Sequence, residues 1–297
     1  MCWGCPVASS NQKNRGFALV AVIWFAGLLA IVSTSVAISL RSHTIANLGA
    51  LRVGKTEFIA DGLARFVAYR LAHPQDGATA YELNGQPLWC RWDDETVAAI
   101  AVQDQAGLID LNTAAGSLVE ALLEGLGETA EDSHRLAALI RDYRDPDLVS
   151  DEGQDESIPY EGSERQPKNK PFDVPEELDQ VAGIDDALYR SLLPYVTTSS
   201  AAPGIALHMA PPVLIALLND RREEIAAVSI AAPPAIGSKQ ALVIDVALAG
   251  GARFVREALI HITGQPDRPL VFLSWRRGYA DVNRTMTVKS SLPDCLN

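Results

Sequence analysis

Carboxylate side chains crowd into one short segment in the middle of the sequence. They are Asp145, Asp147, Asp151, Glu152, Asp155 and Glu156. Carboxylates at this density repel one another unless water or a hard cation neutralises them, and calcium takes about six to eight oxygen ligands. The segment is therefore a candidate calcium site, with a merely solvated acidic loop as the alternative. It is not an EF-hand, because Val149 and Ser150 replace a ligand and the turn glycine of that loop.

The histidines do not form a second reactive pattern. They are scattered along the chain as His43, His73, His134, His208 and His261. No nucleophile motif or metal-ligand spacing surrounds them. We therefore expect no enzymatic activity and no catalytic residues.

The acidity of the chain is concentrated in one region. The formal net charge is -12, and residues 101–200 hold 22 Asp and Glu against 7 Lys and Arg. Nucleic acids attract Lys and Arg through counterion release, so this composition argues against a nucleic-acid partner.

At 297 residues the chain is long enough for two or three modest domains.

An uncharged stretch near the N-terminus has the length of a membrane span. No charged residue occurs in the 24 positions from Phe17 to Leu40. At about 1.5 Å per residue, such a helix is long enough for a hydrocarbon core of roughly 30 Å. Lys13 and Arg15 precede the stretch, so the positive-inside rule leaves the N-terminus in the cytoplasm and the body outside it.

The same helix is predicted to continue as an amphipathic stem to about Leu71. Apolar residues recur near a 3.6-residue period from Ile45 to Val67. The uncharged run is longer than the apolar core of an ordinary signal peptide, which has about 7 to 15 residues. Cleavage after the run is therefore disfavoured.

The residues before and at the start of the run resemble the processing site of type IV pilins and pseudopilins. They read Lys13, Asn14, Arg15, Gly16, Phe17, Ala18, Leu19 and Val20. The resemblance implies that prepilin peptidase cuts between Gly16 and Phe17 and that Phe17 is N-methylated. The alternative is an uncleaved signal anchor in which the Gly-Phe pair is accidental.

Ala21 departs from that pattern. It is the fifth residue counted from Phe17, where most pilins carry a glutamate that neutralises the N-terminal ammonium of the subunit assembled ahead. A carboxylate at bilayer depth is costly and is kept where it has a partner. Its absence indicates a subunit with nothing ahead of it.

The four cysteines fall into two pairs. Cys2 and Cys5 form a CxxC with no second pair to complete a zinc site and no thioredoxin-like context, and we expect them to leave with the leader. Cys90 and Cys295 would lie in an oxidising compartment, where two otherwise free thiols tend to pair. A Cys90–Cys295 disulfide and two free thiols both stay open.

The exported body alternates between strand and helix patterns. Strands are predicted at 88–93 and 97–103, helices at 117–126, 133–143, 174–181 and 187–196, and strands at 241–249, 254–263 and 270–276. Gly250 and Gly251 are predicted to form a hairpin turn. A small sheet is therefore interrupted by a helical insertion.

Four motifs occur along this body in a characteristic order. They are AGLIDLNTA at 106–114, RDYRD at 141–145, PKNKPF at 167–172, and EL followed by VAG at 177–183. In this order they closely resemble general secretion pathway protein K, the large minor pseudopilin of type II secretion systems. With the leader and membrane helix, the resemblance covers nearly the whole chain and is weaker after residue 200.

The resemblance implies an α+β fold. A long N-terminal transmembrane helix precedes a pilin-like antiparallel sheet, into which an all-α domain similar to SAM or helix-hairpin-helix domains is inserted. The expected divisions are a leader at 1–16, the membrane helix and stem at 17–72, the first part of the pilin-like domain at 73–104, the inserted domain at 105–200 and the second part at 201–297.

The resemblance also implies a role and partners. The role is that of a non-enzymatic minor pseudopilin at the tip of a periplasmic pseudopilus, anchored in the inner membrane and nucleating assembly for export across the outer membrane. The implied partners are the minor pseudopilins I and J, through them H and the major pseudopilin G, and prepilin peptidase. Calcium binding by family members in this region favours calcium over a solvated acidic loop.

A membrane-anchored DNA-binding protein is the rival hypothesis. Residues 110–143 and 175–196 resemble the helix-hairpin-helix elements of competence proteins, whose glycine-rich turns bind phosphate through backbone N–H groups. In this sequence the turn at 181–186 ends in Asp185 and Asp186. Those carboxylates would stand where phosphate has to bind, which argues against DNA as the ligand.

The leader hypothesis predicts a defined N-terminus. Because the basic leader, the glycine and the apolar run occur in the order the peptidase reads, the mature chain should begin with N-methylated Phe17. Intact mass spectrometry of the protein from membranes would measure this. A chain that keeps Met1, or one cut after Leu40, would contradict the hypothesis.

Overall fold

The structure is a computed structural model that describes residues 15–73, 81–150, 153–231, 236–279, 286 and 291–296. It divides into two compact units between Gly54 and Lys55. The described residues combine an N-terminal apolar helix with an antiparallel sheet and further helices. The predicted α+β class is confirmed.

Helix α1 runs from Arg15 to Ala72, close to the predicted end at Leu71. Its segment Leu19–Ser39 is apolar and lies outside any core, and it is long enough to cross a membrane. This segment is compatible with a single-pass membrane anchor.

The strands form a main sheet and a small strand pair. The main sheet has the order β1-β2-β5-β6-β7, with every neighbouring pair antiparallel. Its strands are β1 (Leu88–Asp93), β2 (Thr96–Asp104), β5 (Lys239–Leu248), β6 (Arg253–Gln265) and β7 (Arg268–Arg277). The pair consists of β3 (Ile109–Asp110) and β4 (Val196–Thr197), which run parallel.

The C-terminal part of α1 covers one face of the main sheet. Leu63 and Val67 are fully buried and belong to one core with Ile100, Ile244 and Ile260 of the strands. Apolar side chains three and four residues apart give the helix this single buried stripe. Because the stripe faces the sheet, the opposite face of the helix is left exposed.

A buried cation fixes α1 on the sheet. Arg256 of β6 is 7% exposed; its Nε donates to Asp61 Oδ1 over 2.6 Å, and its guanidinium lies 3.3 Å from Glu57 Oε1. Both acids belong to α1. The guanidinium also stacks over the ring of Trp275, 5.0 Å from its centroid, so charge and packing act at the same point.

The helices follow β2 and precede β5. They are α2 (Gly116–Gly125), α3 (Ala130–Arg144), α4 (Asp186–Leu192), α5 (Pro212–Leu217) and α6 (Arg222–Ala227). One core joins them, with Leu118, Leu122, Leu136 and Ile140 among its fully or nearly fully buried members. The described residues between 105 and 238, called the helical segment below, thus contain a second core separate from the one under the sheet.

Two details of this segment differ from the expectation of an all-α domain ending at residue 200. β3 and β4 give it a short strand pair, and two residues per strand are too few to show a period in the sequence. Its core also includes Leu214 and Ile225 of α5 and α6. Those helices have only six residues each, which is too short for a strong periodic signal.

The helical segment returns to the end of β2 at a close backbone contact, beside a small third cluster of Ala106, Ala206 and Met209. A side chain at Gly107 would place its Cβ 2.1 Å from the carbonyl oxygen of Met209, so only glycine fits there. Ala206 N–H donates to the Ala106 carbonyl over 2.8 Å, and Gln103 Nε2 donates to the Met209 carbonyl over 2.9 Å. Residues 206–209 therefore lie against the end of β2, from which the helical segment starts.

The outer edge of β1 is covered by the last described residues. Asp294 forms a parallel bridge with Arg91, and the backbone N–H groups of Arg91 and Cys295 donate to Pro293 and Arg91. Cys90 and Cys295 form a disulfide across a separation of 205 residues. Strand pairing and a covalent bond thus hold the same edge.

Removing the disulfide should destabilise the protein because the bond closes a very long loop. We expect Cys90→Ala/Cys295→Ala to lower the free energy of unfolding by roughly 2 to 5 kcal/mol. Denaturant unfolding of the full chain in detergent would measure the change. A reductant should destabilise the wild type to a similar degree and leave the double variant unchanged, whereas equal stability of both proteins in oxidising buffer would contradict the prediction.

Candidate metal centre

The end of α3 supplies two of the carboxylates. Thr129 caps the start of the helix by accepting from Asp132 N–H, and Asp145 caps its end, where its own N–H donates to the Arg141 carbonyl. Asp142 is three residues before Asp145, so both lie on the last turn. A helix C-terminus carries partial negative charge and favours cations, which makes two carboxylates there unfavourable without a counter-charge.

A returning loop supplies the third carboxylate. After Asp147 the chain turns back, with an antiparallel bridge between Val149 and Asp155. Glu156 N–H then donates to the Leu148 carbonyl over 3.3 Å. This pairing carries the Glu156 side chain inward, where it is only 3% exposed.

Asp142, Asp145 and Glu156 form a compact oxygen cluster. One carboxylate oxygen from each lies within 4.8 Å of the others. Both carboxylate oxygens of Glu156 and Oδ1 of Asp145 are buried and receive no hydrogen bond from the residues that the structure describes. Buried polar atoms without a partner are costly. Arg141 pairs with Asp142 at 3.9 Å, so the oxygens of Glu156 and Asp145 that lack a hydrogen bond are the atoms that a bound cation would stabilise.

The electrostatics agree with this geometry. Burial, together with the nearby charges of Asp145, Asp142 and Asp147, raises the pKa of Glu156 to about 7. Burial and the charge of Asp147 also raise the pKa of Asp145. Like charges in a buried site favour the neutral acid unless a cation compensates them.

A rigid frame holds the cluster. The Asn112 side chain donates to the Phe172 carbonyl over 2.9 Å and accepts from Phe172 N–H over 2.7 Å. The Phe172 ring packs against Tyr143, with centroids 4.9 Å apart. Asn169 N–H donates to the Tyr143 carbonyl, and its side chain donates to the Asp147 carbonyl over 2.7 Å.

Two of the six predicted ligands lie in the cluster, namely Asp145 and Glu156. Asp147 is close enough to raise the pKa of Glu156, but its Oδ1 accepts from Val149 N–H. Asp155 is exposed and accepts from the backbone and hydroxyl of Ser157. The side chains of Asp147 and Asp155 therefore stabilise turns of the loop through these hydrogen bonds.

Neither of the two remaining predicted ligands can be placed, and the cluster contains one residue that the sequence did not predict. Asp151 and Glu152 lie outside the described residues. Asp142 was not predicted as a ligand because it lies before the acidic loop. Its distance in sequence from Asp145 could have indicated it, since residues three apart on a helix lie on the same side.

The donor set fits a hard cation. The cluster contains only carboxylate oxygens, which suit calcium, magnesium or manganese, and the described residues bring no imidazole or thiolate into it. Calcium accepts irregular, carboxylate-rich sites more readily than magnesium does. The identity of the ion stays a proposal.

The turn of the rival DNA-binding hypothesis is already occupied by a side chain. Gly183 has a φ of +80°, as a tight turn requires. Asp185 then caps α4 by accepting from the N–H groups of Ala187 and Leu188 over 2.9 and 2.8 Å. These are the donors that a phosphate would need.

Comparison with known proteins bears on the same region. Residues 97–201, which include the whole cluster, match the family model of type II secretion system protein K. This match supports the resemblance to protein K that the four motifs indicate, and it is confined to this part of the chain.

A solved structure shares the fold of this chain. It is a chain in the crystal structure of the GspK-GspI-GspJ complex from the enterotoxigenic Escherichia coli type 2 secretion system. The likeness has a TM-score of 0.51 and 15% identity, and it covers 81% of this chain and 99% of that chain. Among curated protein sequences, none matches this chain.

The raised pKa of Glu156 predicts a pH dependence of stability. The folded state holds the proton up to a pH of about 7, against about 4.5 for the ordinary side chain. Between these values the folded state binds more protons than the unfolded state, so its stability falls as the pH rises. We therefore expect the melting temperature of the wild type in chelator to fall relative to that of Glu156→Gln as the pH rises from about 4.5 to about 7. Above about pH 7 the difference should stay constant. Thermal melts at a series of pH values would measure it.

Calcium and a matched variant provide the control. At pH 7.5, millimolar calcium should raise the melting temperature of the wild type. It should do the same for Glu161→Gln, the control variant, which changes an exposed acid. The melting temperature of Glu156→Gln should rise much less. A constant difference between wild type and Glu156→Gln at all pH values would refute the role of this carboxyl. An unchanged melt with chelator, in protein that held no metal by elemental analysis, would refute the cation site.

Proposed function

We propose that this chain is a non-enzymatic minor pseudopilin at the tip of the type II secretion pseudopilus, where it nucleates assembly for export across the outer membrane. The match of residues 97–201 to the family model of type II secretion system protein K supports this role. The fold that this chain shares with a chain of the GspK-GspI-GspJ complex supports it as well.

The main support for the tip position is the bulk of the helical segment. Residues 105–238 separate the neighbouring strands β2 and β5 and form a core of their own. A subunit inside a filament must fit between copies on all sides, whereas a subunit at the end needs space only below it. A second core beside the pilin-like sheet is therefore compatible with the end position.

Ala21 supports the same position independently. It lies within the apolar segment Leu19–Ser39 of α1, at the place where a glutamate would meet the N-terminal ammonium of a preceding subunit. Without that carboxylate, a preceding subunit would leave its charge unpaired at bilayer depth, which is costly. A subunit that caps the assembly has no such charge to neutralise.

The membrane arrangement follows from the N-terminal sequence. We propose an inner-membrane anchor with the N-terminus in the cytoplasm and the body in the periplasm, since Lys13 and Arg15 flank the apolar segment. Prepilin peptidase would cut between Gly16 and Phe17, at the N-terminal end of α1. The Cys90–Cys295 disulfide suits an oxidising compartment such as the periplasm.

The proposed partners are the minor pseudopilins I and J, and through them H and the major pseudopilin G. In the similar solved structure, GspK forms a complex with GspI and GspJ. The acidic helical segment makes nucleic acid an unsuitable partner. The role is therefore assembly through protein contacts.

Calcium is the proposed ion of the carboxylate cluster. It would be held by Asp142, Asp145 and Glu156 and would neutralise the charge at the end of α3. The ion would thereby fix the returning loop against the frame of Asn112 and Phe172. We assign the ion a structural role, because it would link the returning loop to the end of α3.

The proposed role predicts a defined complex. The full chain in detergent should form a stoichiometric complex with minor pseudopilins I and J and should not polymerise with itself, as size-exclusion chromatography with light scattering would measure. If no subunit sits ahead of it, Ala21→Glu should change export little.

Two outcomes would contradict this prediction. Failure of the wild type to associate with I and J would remove the proposed role. A strong gain in incorporation along the shaft by Ala21→Glu would show that the missing carboxylate alone sets the position, and the argument from bulk would then fail.

A further inference from the structure

Both connections between the main sheet and the helical segment pass through one small region, called the neck below, which consists of Asp104, Ser238 and Gln240. Asp104 is the last residue of β2, and Gln240 is the second residue of β5. The two residues lie opposite each other in the strand pairing. The helical segment begins and ends at this pair, so its attachment depends on the contacts that the pair makes.

The neck is buried although its side chains are polar. Asp104, Ser238 and Gln240 are 2%, 6% and 1% exposed. Leu242 and Ile244 lie on the same face of β5 as Gln240 and belong to the core under α1, so the neck closes one end of that core. Buried polar groups are stable only where hydrogen bonds replace their lost contacts with water.

The hydrogen bonds of the neck are incomplete. Asp104 Oδ1 accepts from Ala106 N–H over 2.9 Å, which is an ordinary length. Gln240 Nε2 lies 3.4 Å from both Asp104 Oδ2 and Ser238 Oγ, so it donates weakly to either. Gln240 Oε1 is buried and receives no hydrogen bond from the residues that the structure describes. The pair of Asp104 and Gln240 therefore has too few donors for its oxygen atoms.

A proton on Asp104 corrects this deficit. A neutral carboxyl group donates one hydrogen bond through its O–H, whereas the ionised form only accepts. The neighbouring amide or hydroxyl oxygen can accept this bond. Burial raises the pKa of Asp104, while the hydrogen bonds from Ala106 and Gln240 and the charge of His208 lower it. The shortage of donors and the burial of the carboxyl thus both favour the protonated form.

His208 is the titratable group whose charge acts on Asp104. It belongs to the turn Leu207–Met209, where the helical segment lies against the end of β2. A protonated imidazole favours the ionised form of a nearby carboxyl. His208 therefore opposes the effect of burial when it is charged and leaves that effect intact when it is neutral.

The other titratable side chains near the neck have less influence on Asp104. Lys239 and His261 pair in register, and both point to the face of the sheet opposite Asp104, because neighbouring residues of a strand alternate between the faces. Glu82 is exposed. Burial raises the pKa of Tyr81, so this phenol stays neutral wherever a carboxyl group titrates.

A second link between the sheet and the helical segment is exposed and therefore weak. Arg276 of β7 lies 3.5 Å from Glu176 of the helical segment, and both side chains are largely exposed. Exposed ion pairs contribute little to stability. A change in the buried neck consequently alters the attachment of the segment more than a change in this pair does.

We propose that Asp104 and Gln240 form a pH-sensitive joint between the main sheet and the helical segment. With a proton on Asp104, the joint has its missing donor and holds the segment firmly at the end of the sheet. When Asp104 ionises, this donor is lost and the joint opens more often. The joint works within one chain, so it does not depend on the proposed partners.

The direction of the effect follows from the raised pKa of Asp104. The folded state keeps the proton to a higher pH than the unfolded state does. The stability that this proton supplies is therefore complete at low pH and is lost as the pH rises through the pKa of the folded state. The joint is tight in acid and looser at higher pH.

Hydrogen exchange of the full chain in detergent at a series of pH values tests the joint. The amides of Asp104 and Ala206 report on the neck, because they donate to the carbonyls of Leu83 and Ala106. After correction for intrinsic exchange rates, their protection in the wild type should fall about threefold or more between about pH 4 and about pH 8, relative to the amides of β6. This is the size of effect expected for the loss of one buried hydrogen bond.

Asp104→Asn is the deciding variant. Its amide keeps the shape of the carboxyl, always supplies a donor and does not titrate, so the neck should stay protected at every pH. Glu82→Gln is the matched control, because it changes an exposed acid beside the neck, and it should behave like the wild type. Glu156 is present in all of these proteins, so its own titration cancels in the comparison.

Three results would overturn the proposal. Protection of the wild-type neck that does not change with pH relative to β6 would do so without any variant. A pH dependence that persists in folded Asp104→Asn would exclude this carboxyl as the titrating group. Loss of the dependence in His208→Gln would assign it to the histidine, whereas the proposal expects His208→Gln to keep it. This last comparison also decides the question if Asp104→Asn does not fold.

Discussion

The architecture depends on the pairing of two strands that are far apart in sequence. β2 and β5 run antiparallel without a register shift, from Thr96 opposite Leu248 to Asp104 opposite Gln240. The chain therefore leaves the sheet and returns to it at neighbouring points of the same end. Everything between them must begin and finish there, which is why Gly107 and Met209 touch. The helical segment can form its own core without disturbing the sheet.

The same constraint explains why the motif residues converge. The segment has to fold back on itself, and Asn112, Tyr143, Asn169 and Phe172 make the contacts that hold its separate parts together. Their hydrogen bonds and ring contact leave little freedom to the loop between α3 and residue 169. Glu156 is consequently forced toward the end of α3, and the crowding of carboxylates there is a product of the frame.

Long periodic elements were readable from the sequence, and short or converging ones were not. The extent of α1 and the five long strands followed from apolar spacing over many residues. The two-residue strands β3 and β4 carry no period, and α5 and α6 are too short to show one. The carboxylate density identified Asp145 and Glu156, but only the folded loop shows that Asp142 joins them. The sequence shows which carboxylates are close along the chain, whereas the cluster depends on which of them are close in space.

The covering of β1 has a consequence for the order of folding. Cys90 lies in the first strand of the sheet, but its partner Cys295 is synthesised 205 residues later. Until then the edge of β1 is open and one thiol is unpaired, and open strand edges pair readily with other chains. A chain interrupted before residue 295 would keep both features, which chaperones and proteases can recognise. The bond can thus form only in a polypeptide that extends through residue 295.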